Sequence, residues 1–392
     1  MTGPPGQAER GGPGDRQGGP PVEQVERVST LELFFDLVFV FTITQLTAVL
    51  SDDPTPRGLL RVVLMLGVIF WMYGGYAWMT NAVATDRVAR RLLLLGGMAG
   101  FLVLALAIPR AFTEGDIAFG VAYLVIVCIH TGLYSRTGVP NTIRALVRLA
   151  PFNLVSALLV LAAVMVEGTA AYLLWGAAFV LEWFTPLLAG VGGFRIAPAH
   201  FVERHGLVVI VALGESIVAI GIGAAGLPVD LTLASVAVLG LLLAACLWWA
   251  YFGGDDARAE RALAAVGDDR RGWVAIQAFG YWHLVMLGGI IALAAGLKDV
   301  VGHAFEPLDL AHALLLSGGV ALFLAGDVLF RRTLEIGPGH LRAVAATLAL
   351  ATIPLGLTVS ALAQLAVLVL FLSGSLLAEA RAARSPEGQP RR

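Results

Sequence analysis

The sequence predicts an all-α polytopic membrane bundle of about twelve transmembrane helices, and three observations carry that expectation. Of the 392 residues 58% are hydrophobic and 14% charged, and the mean hydropathy is +0.82, a balance that no water-soluble core can absorb. Apolar segments recur at lengths near the ~20 residues that cross ~30 Å of hydrocarbon at ~1.5 Å per residue. Basic residues alternate between the connections: of the 26 Lys and Arg, 22 fall on one side and only Arg57, Arg61, Arg110 and Lys298 on the other. Because an excess of positive charge marks the cytoplasmic side, a multi-pass plasma-membrane protein with both termini in the cytoplasm is expected.

Taken in order, residues 1–27 read as a disordered cytoplasmic tail, rich in Gly and Pro over the first 22 and lacking the apolar run of a signal peptide. The expected spans are about 30–50, 58–80, 92–112, 116–136, 142–166, 169–190, 205–224, 230–252, 272–296, 309–331, 341–359 and 361–379. Pro354, Gly356 and Ser360 divide the last two, and 381–392 form a second short tail. Sliding the chain by 171 positions lays Glu32 on Glu203, Trp78 on Trp249, Arg87 on Arg258 and Arg90 on Arg261. Six helices return the chain to its starting side, so residues 28–190 and 191–380 would be parallel six-helix halves about an axis along the membrane normal.

The first span, STLELFFDLVFVFTITQL, carries Glu32 and Asp36 one turn apart. Glu32 follows Ser29 at capping-box spacing, but Asp36 lies deeper. At ~100° per residue Glu32, Asp36, Ile43 and Thr47 share one stripe. A carboxylate facing lipid costs ~2.5–3.5 kcal/mol on the lenient scale, so this stripe is expected to face the bundle. A partner, a watery cavity and a transport path all satisfy that requirement, as does a purely structural ion pair. The seventh span, HFVERHGLVVIVALGESIVAIG, sets Glu215 about ten residues deep, with Ala212 and Ala219 on its face. Gly214 beside it would permit a local helix break that exposes carbonyls to an ion.

His200, Glu203 and His205 at the mouth of that span match no zinc-helix spacing, and no metal or cofactor is expected. Other intramembrane polar residues are Glu182, four residues before Pro186, and His130, Asn153, His283 and Asp327. His283 is read as a structural donor or a titrating group on the path, Asp327 as an i,i+4 partner of Arg331. Trp71, Trp78, Trp248, Trp249, Tyr76 and Tyr251 read as interface anchors. Cys128 and Cys246 lie in apolar runs and carry no assigned chemistry.

LELFFDLVFVFTITQL together with HFVERHGLVVIVALGESIVA resembles the bacterial low temperature requirement protein A (LtrA) family over essentially the whole membrane region. The motif residues are Glu32, Phe35 and Asp36, then His200, Glu203, Arg204, Gly206, Gly214, Glu215 and Ser216. The resemblance implies a link to growth in the cold and brings no settled activity. Arg27 followed by FFDLVFVFTITQL is also similar to the R…FSD…AI signature that opens each repeat of the two-repeat endolysosomal and bacterial potassium channels, with Phe35 in place of the serine and Leu207 where a second Asp would fall.

Transport is therefore the expected function, with Asp36, Glu215, Glu182 and His283 along the ion or substrate path and Glu32, Phe35, His200, Glu203, Arg204, Gly214 and Ser216 at its cytoplasmic mouth or in its motifs. The partners implied are the lipid bilayer and a small ion or solute, with proton or cation coupling. A cation channel is the nearest alternative. No G-x-S-x-G, H-E-x-x-H or G-x-G-D motif occurs, so no catalytic residue is assigned and an intramembrane enzyme is not expected. A non-transporting sensor would be expected to bring a soluble output domain. Nothing forms a basic nucleic-acid face.

Overall fold

In the computed structural model, residues 28–384 are described except 83–87, 113–115, 136–139, 193 and 195, together with Gly3. The expected tail 1–27, including Arg27, and the end of the second tail, 385–392, lie outside the described residues. All regular structure among the described residues is helical. The first half holds α1 (Thr30–Asp52), α2 (Pro56–Ala82), α3 (Val88–Ala107), α4 (Ala118–Tyr134), α5 (Pro140–Ala163) and α6 (Gly168–Ala189). There follow α7 (Pro198–Gly223), α8 (Leu231–Phe252), the short α9 (Asp255–Ala265) and α10 (Asp268–Ala275), and α11 (Trp282–Gly302). The last are α12 (Leu310–Leu334), α13 (His340–Ala351), α14 (Ile353–Thr358) and α15 (Ala361–Arg384). Eleven described helices are long and apolar enough to cross a membrane, and α4 is a shorter apolar one. Each of the twelve expected spans falls on one of them.

Local chemistry sets the ends. Ser29 and Glu32 complete the capping box of α1, Pro198 opens α7, and Asp230 and Asp309 cap α8 and α12 by accepting from the backbone N–H of Leu233 and His312. The chain turns at Val359 and Ser360 between α14 and α15, where Ala361 and Leu362 donate to the carbonyls of Glu306 and Ala304. The expected break at Gly214 is not made, since α7 runs unbroken through it. The irregularity comes instead at a π-helical stretch, Ile276–Tyr281, between α10 and α11.

Helices α11 and α12 form the most enclosed pair, packed antiparallel on glycine. A Cβ on Gly289 would stand 2.6 Å from the Phe323 nitrogen, one on Gly319 2.5 Å from the Leu293 nitrogen, and one on Gly296 2.8 Å from the Leu316 nitrogen. The backbones therefore touch, as small residues allow inside a bilayer. Large side chains such as Phe34, Leu37, Leu173 and Leu370 stay on the outside. Their exposure suits lipid.

Helix α1 lies at the centre, against α2, α3, α7 and α11. It runs parallel to α7, because Glu32 meets His200, Asp36 meets Arg204 and Thr44 meets Glu215 in rising order. The starts of α1 and α7, the ends of α2 and α8 and the end of α15 share one face, tied by Asn81 to Ala197, Gly206 against Phe252, and Glu379 to Arg331 and Arg342. Both ends of the described chain thus lie on this N-terminal face.

Two readings of polar and aromatic residues change. Asp327 pairs with Arg342 rather than Arg331, while Arg331 reaches Glu379 and Asp255. Helix α13 brings Arg342 to within 2.8 Å of Asp255 and 3.2 Å of Glu379, so three carboxylates share two buried guanidiniums, with Arg258 also on Asp255. Sequence spacing favoured the local partner; tertiary packing supplied a closer one. Trp248 and Trp249 are exposed, as anchors should be, but Tyr76 and Tyr251 are fully buried and Trp71 and Trp78 line an internal cavity.

Candidate functional site

The polar residues expected along the path and at its mouth fall into four separate groups. The first lies at the N-terminal face between α1, α2 and α7. His200 Nε2 stands 3.1 Å from Glu32, whose other oxygen accepts from the Ser29 N–H and hydroxyl at 2.8 Å. One turn deeper Arg204 Nη2 lies 3.0 Å from Asp36, and the Tyr73 hydroxyl donates to the same carboxylate at 2.9 Å. Phe35 and Tyr73 flank the guanidinium, each ring centroid 5.8 Å away. Asn81, near the end of α2, clamps Ala197 through both amide groups and touches His200 at 3.2 Å.

Within it, Asp36 and Arg204 neutralise each other. Asp36 and Arg204 are each about 1% exposed, and a buried pair of this kind offsets its own desolvation only when both members are present. Asp36 Oδ2 and Arg204 Nε and Nη1 nevertheless lack hydrogen-bond partners. Glu203 stays at the surface, where one carboxylate oxygen accepts from the Val28 N–H at 3.3 Å.

Deeper along the same two helices, Glu215 accepts a hydrogen bond from the Thr44 hydroxyl at 2.5 Å. No Lys, Arg or His forms an ion pair with it among the described residues. The neighbouring hydroxyls of Ser216, Thr42 and Thr47 are buried without partners. Gly214 leaves its side of α7 open, since an added Cβ there would meet nothing within 4 Å.

Glu182 on α6 forms the third group, away from the first two. Both the Tyr123 hydroxyl of α4 and the Ser156 hydroxyl of α5 meet its Oε1, the latter at 2.5 Å, while Oε2 is unpartnered. It is fully buried and has no basic partner among the described residues. His283 belongs to the fourth group. Its Nδ1 lies 2.9 Å from the Ala278 carbonyl and must donate to it, which leaves Nε2 to accept from Tyr251 at 2.9 Å. With both nitrogens used among Phe279, Phe330 and His205, it is a braced ring beside the π-helical stretch.

Beside the first group opens a cavity of about 100 Å³ between α2, α4, α5, α6, α7 and the π-helical stretch. Trp71, Trp78, Trp183, Phe194 and Phe279 supply ring surface, and Asn153 and His205 supply polar atoms, while His130 adds a ring whose nitrogens are closed off. Asp36, Glu182 and Glu215 are not among its lining. Sequence reasoning passed over the cavity because its tryptophans sit near helix ends, where anchoring explains them. The Gly74–Gly75 pair, which opens the α2 wall, was the available signal. Tyr73, Asn81, Thr44, Tyr123 and Ser156 were missed for another reason: a partner hydroxyl on a distant helix carries no local pattern. No group of three His, Cys, Asp or Glu side chains that could hold a metal occurs among the described residues.

Comparison with known proteins places these groups in context. A family model described as bacterial low temperature requirement A protein (LtrA) matches residues 27–376. The chain is also 31% identical over 324 residues to an uncharacterized protein, RA0937, of Rhizobium meliloti (strain 1021), covering 78% of this chain and 77% of that one. No solved structure matches.

Proposed function

This chain belongs to the bacterial low temperature requirement A family, and within that frame we propose that it is a proton- or cation-coupled transporter of the plasma membrane. One observation carries the reading: Glu182 and Glu215 are buried inside membrane helices with hydroxyl partners and, among the described residues, no basic partner. A carboxylate so placed must hold a proton or receive a cation, because an unpaired charge there costs several kcal/mol. Asp36 and Glu32 differ, since Arg204 and His200 already face them. They are the closed mouth of the path and Glu215 is its next station inward.

The two halves, 28–190 and 191–380, are proposed to be parallel repeats. Support comes from neighbours: α1 on α2 and α3, α3 on α4, α4 on α5, α5 on α6 and α2 on α6 recur as α7 on α8 and α11, α11 on α12, α12 on α13, α13 and α14 on α15, and α8 on α15. Thr44 and Glu215 meet across the centre at a separation of 171 residues, the same shift that aligns the halves. A repeat axis between α1 and α7 explains why equivalent positions touch.

A cation channel is the second reading, favoured by the parallel α1–α7 pair and its line of buried hydroxyls. Proteoliposomes separate the two. With a pH-sensitive dye inside, an imposed pH gradient should drive proton-coupled flux of an ion or solute in the native protein, and Glu215→Gln and Glu182→Gln should abolish coupling while keeping folded yield, since each swap retains an accepting oxygen. Coupled flux unchanged in both variants would falsify the assignment. A large conductance that saturates with cation rather than following the proton gradient would select the channel.

A further inference from the structure

The aromatic cavity is a feature that the proposed proton or cation path leaves unused. Its walls are rings: Trp71 and Trp183 meet edge to face at 5.7 Å, and Trp78 meets Phe194 in the same way at 5.6 Å. Its lining holds no Asp, Glu, Lys or Arg among the described residues. Asn153 and His205 offer hydrogen-bonding atoms. Trp71 donates to Asn153 Oδ1 at 3.0 Å, which leaves the Asn153 amide N–H groups as donors. His205 Nδ1, 2.8 Å from the Phe201 carbonyl, must carry its proton, so Nε2 is a lone-pair acceptor. His130, about 5% exposed, packs its ring against the Gly75 backbone between Tyr76 and Tyr134, with both ring nitrogens closed off from the cavity.

A buried polar group without a partner is costly unless something meets it, and among the described residues none meets the Asn153 amide N–H groups or His205 Nε2. We propose that this cavity binds a small, neutral, single-ring aromatic molecule bearing a hydroxyl or N–H group, held between the tryptophan faces and hydrogen-bonded by Asn153 and His205. The size follows from the volume, since an apolar cavity of about 150 Å³ takes benzene and this one is of the same order. Neutrality follows from the lining: among the described residues no basic group pairs an anion and no acid pairs a cation, and ring faces repel an anion.

Glu182 stands just beyond the floor. Ser156, which touches it, is one helical turn from Asn153 on α5, and Trp183 is its chain neighbour. Assigning the aromatic molecule as the carried solute rests on the transport reading above; binding itself needs no gradient, so the two can fail separately.

The test is equilibrium dialysis of the full chain in lipid nanodiscs, with empty nanodiscs as background and phenol, toluene and benzoate as probes. Phenol should bind saturably at one per chain, toluene about tenfold more weakly for want of the hydrogen bond, and benzoate more weakly still. Gly74→Leu, which grows a side chain at a lining position with open space around it, should remove binding of every probe. Asn153→Leu keeps the bulk of the side chain, removes its amide donors and should bring phenol down to the affinity of toluene. Because one of these variants can fail to fold, each is judged only against its own unchanged helical circular dichroism, and either suffices. Benzoate as the best probe, absence of saturable phenol binding to the native protein, or unaltered phenol binding in a folded variant overturns the proposal, even where proton-coupled flux is intact.

Discussion

Asp36 and Arg204 make the sharpest contrast with Glu182 and Glu215, because the first two hold each other at 3.0 Å and the second two hold only hydroxyls. Removing one member of a buried ion pair strands the other and costs about 3–5 kcal/mol. Asp36→Asn and Arg204→Gln are therefore expected to lower the thermal unfolding midpoint of the purified protein strongly when made singly. The double variant should lose much less than the sum of the two. Glu182→Gln, whose amide oxygen can still accept from Tyr123 and Ser156, should stay near the native midpoint. Additive losses for Asp36 and Arg204 would show that the pair is not coupled. The sequence revealed that Asp36 needed a partner, by its depth and stripe, and Arg204 stood in the second motif. What it lacked was the α1–α7 contact that joins them. Arg342 on Asp327 is the same lesson, since the nearer Arg331 was in spacing range and a separate helix delivered the better guanidinium.

Helices were legible where hydrophobic length alone defines them, which is why all twelve spans landed. Their starts were less so: α7 begins at Pro198, ahead of the expected 205, because His200, Arg204 and His205 look like loop residues until their partners bury them. Break points were least legible. Gly214 is a glycine with space and stays helical, whereas Ile276–Tyr281 widens into a π-helical stretch without any Gly–Pro signal inside it except Gly280. Glycines at α11 and α12 do a different job, that of close approach. Gly289→Ala would push a methyl to 2.6 Å from the Phe323 nitrogen, and overpacking of this kind costs about 1–3 kcal/mol. The expected result is a lowered unfolding midpoint and a poorer folded yield, while Gly318→Ala, one position from Gly319 but with open space around its added Cβ, should raise helix stability slightly or leave it unchanged. Equal losses at both positions would mean that helix propensity, and not the approach of two backbones, governs this hairpin.

At the scale of the whole molecule, charge and fold describe the same two faces independently. Arg258, Arg271, Arg331 and Arg342 lie on the face shared by the starts of α1 and α7, whereas Lys298 reaches Asp52 at 3.5 Å and Arg61 reaches Asp53 at 3.5 Å on the opposite one. Lys298 is the only lysine of the chain and sits with Arg57, Arg61 and Arg110 on the poorer side. The positive-inside rule counts such residues in short connections, and here the connections are short enough for it to operate. The N-terminal face is accordingly expected in the cytoplasm. Fluorescent-protein fusions after Arg91, after Arg271 and at the C-terminus should glow, since that reporter folds on the cytoplasmic side. An alkaline phosphatase fusion near Lys298 should be active, since that reporter needs export. The four positions sample both halves, so an odd helix missed anywhere between them would reverse the later signals and spare the earlier ones. Phosphatase silent at Lys298 with fluorescence there instead would overturn the orientation, and with it the assignment of Glu32, His200 and Asn81 to a mouth that opens on the cytoplasm.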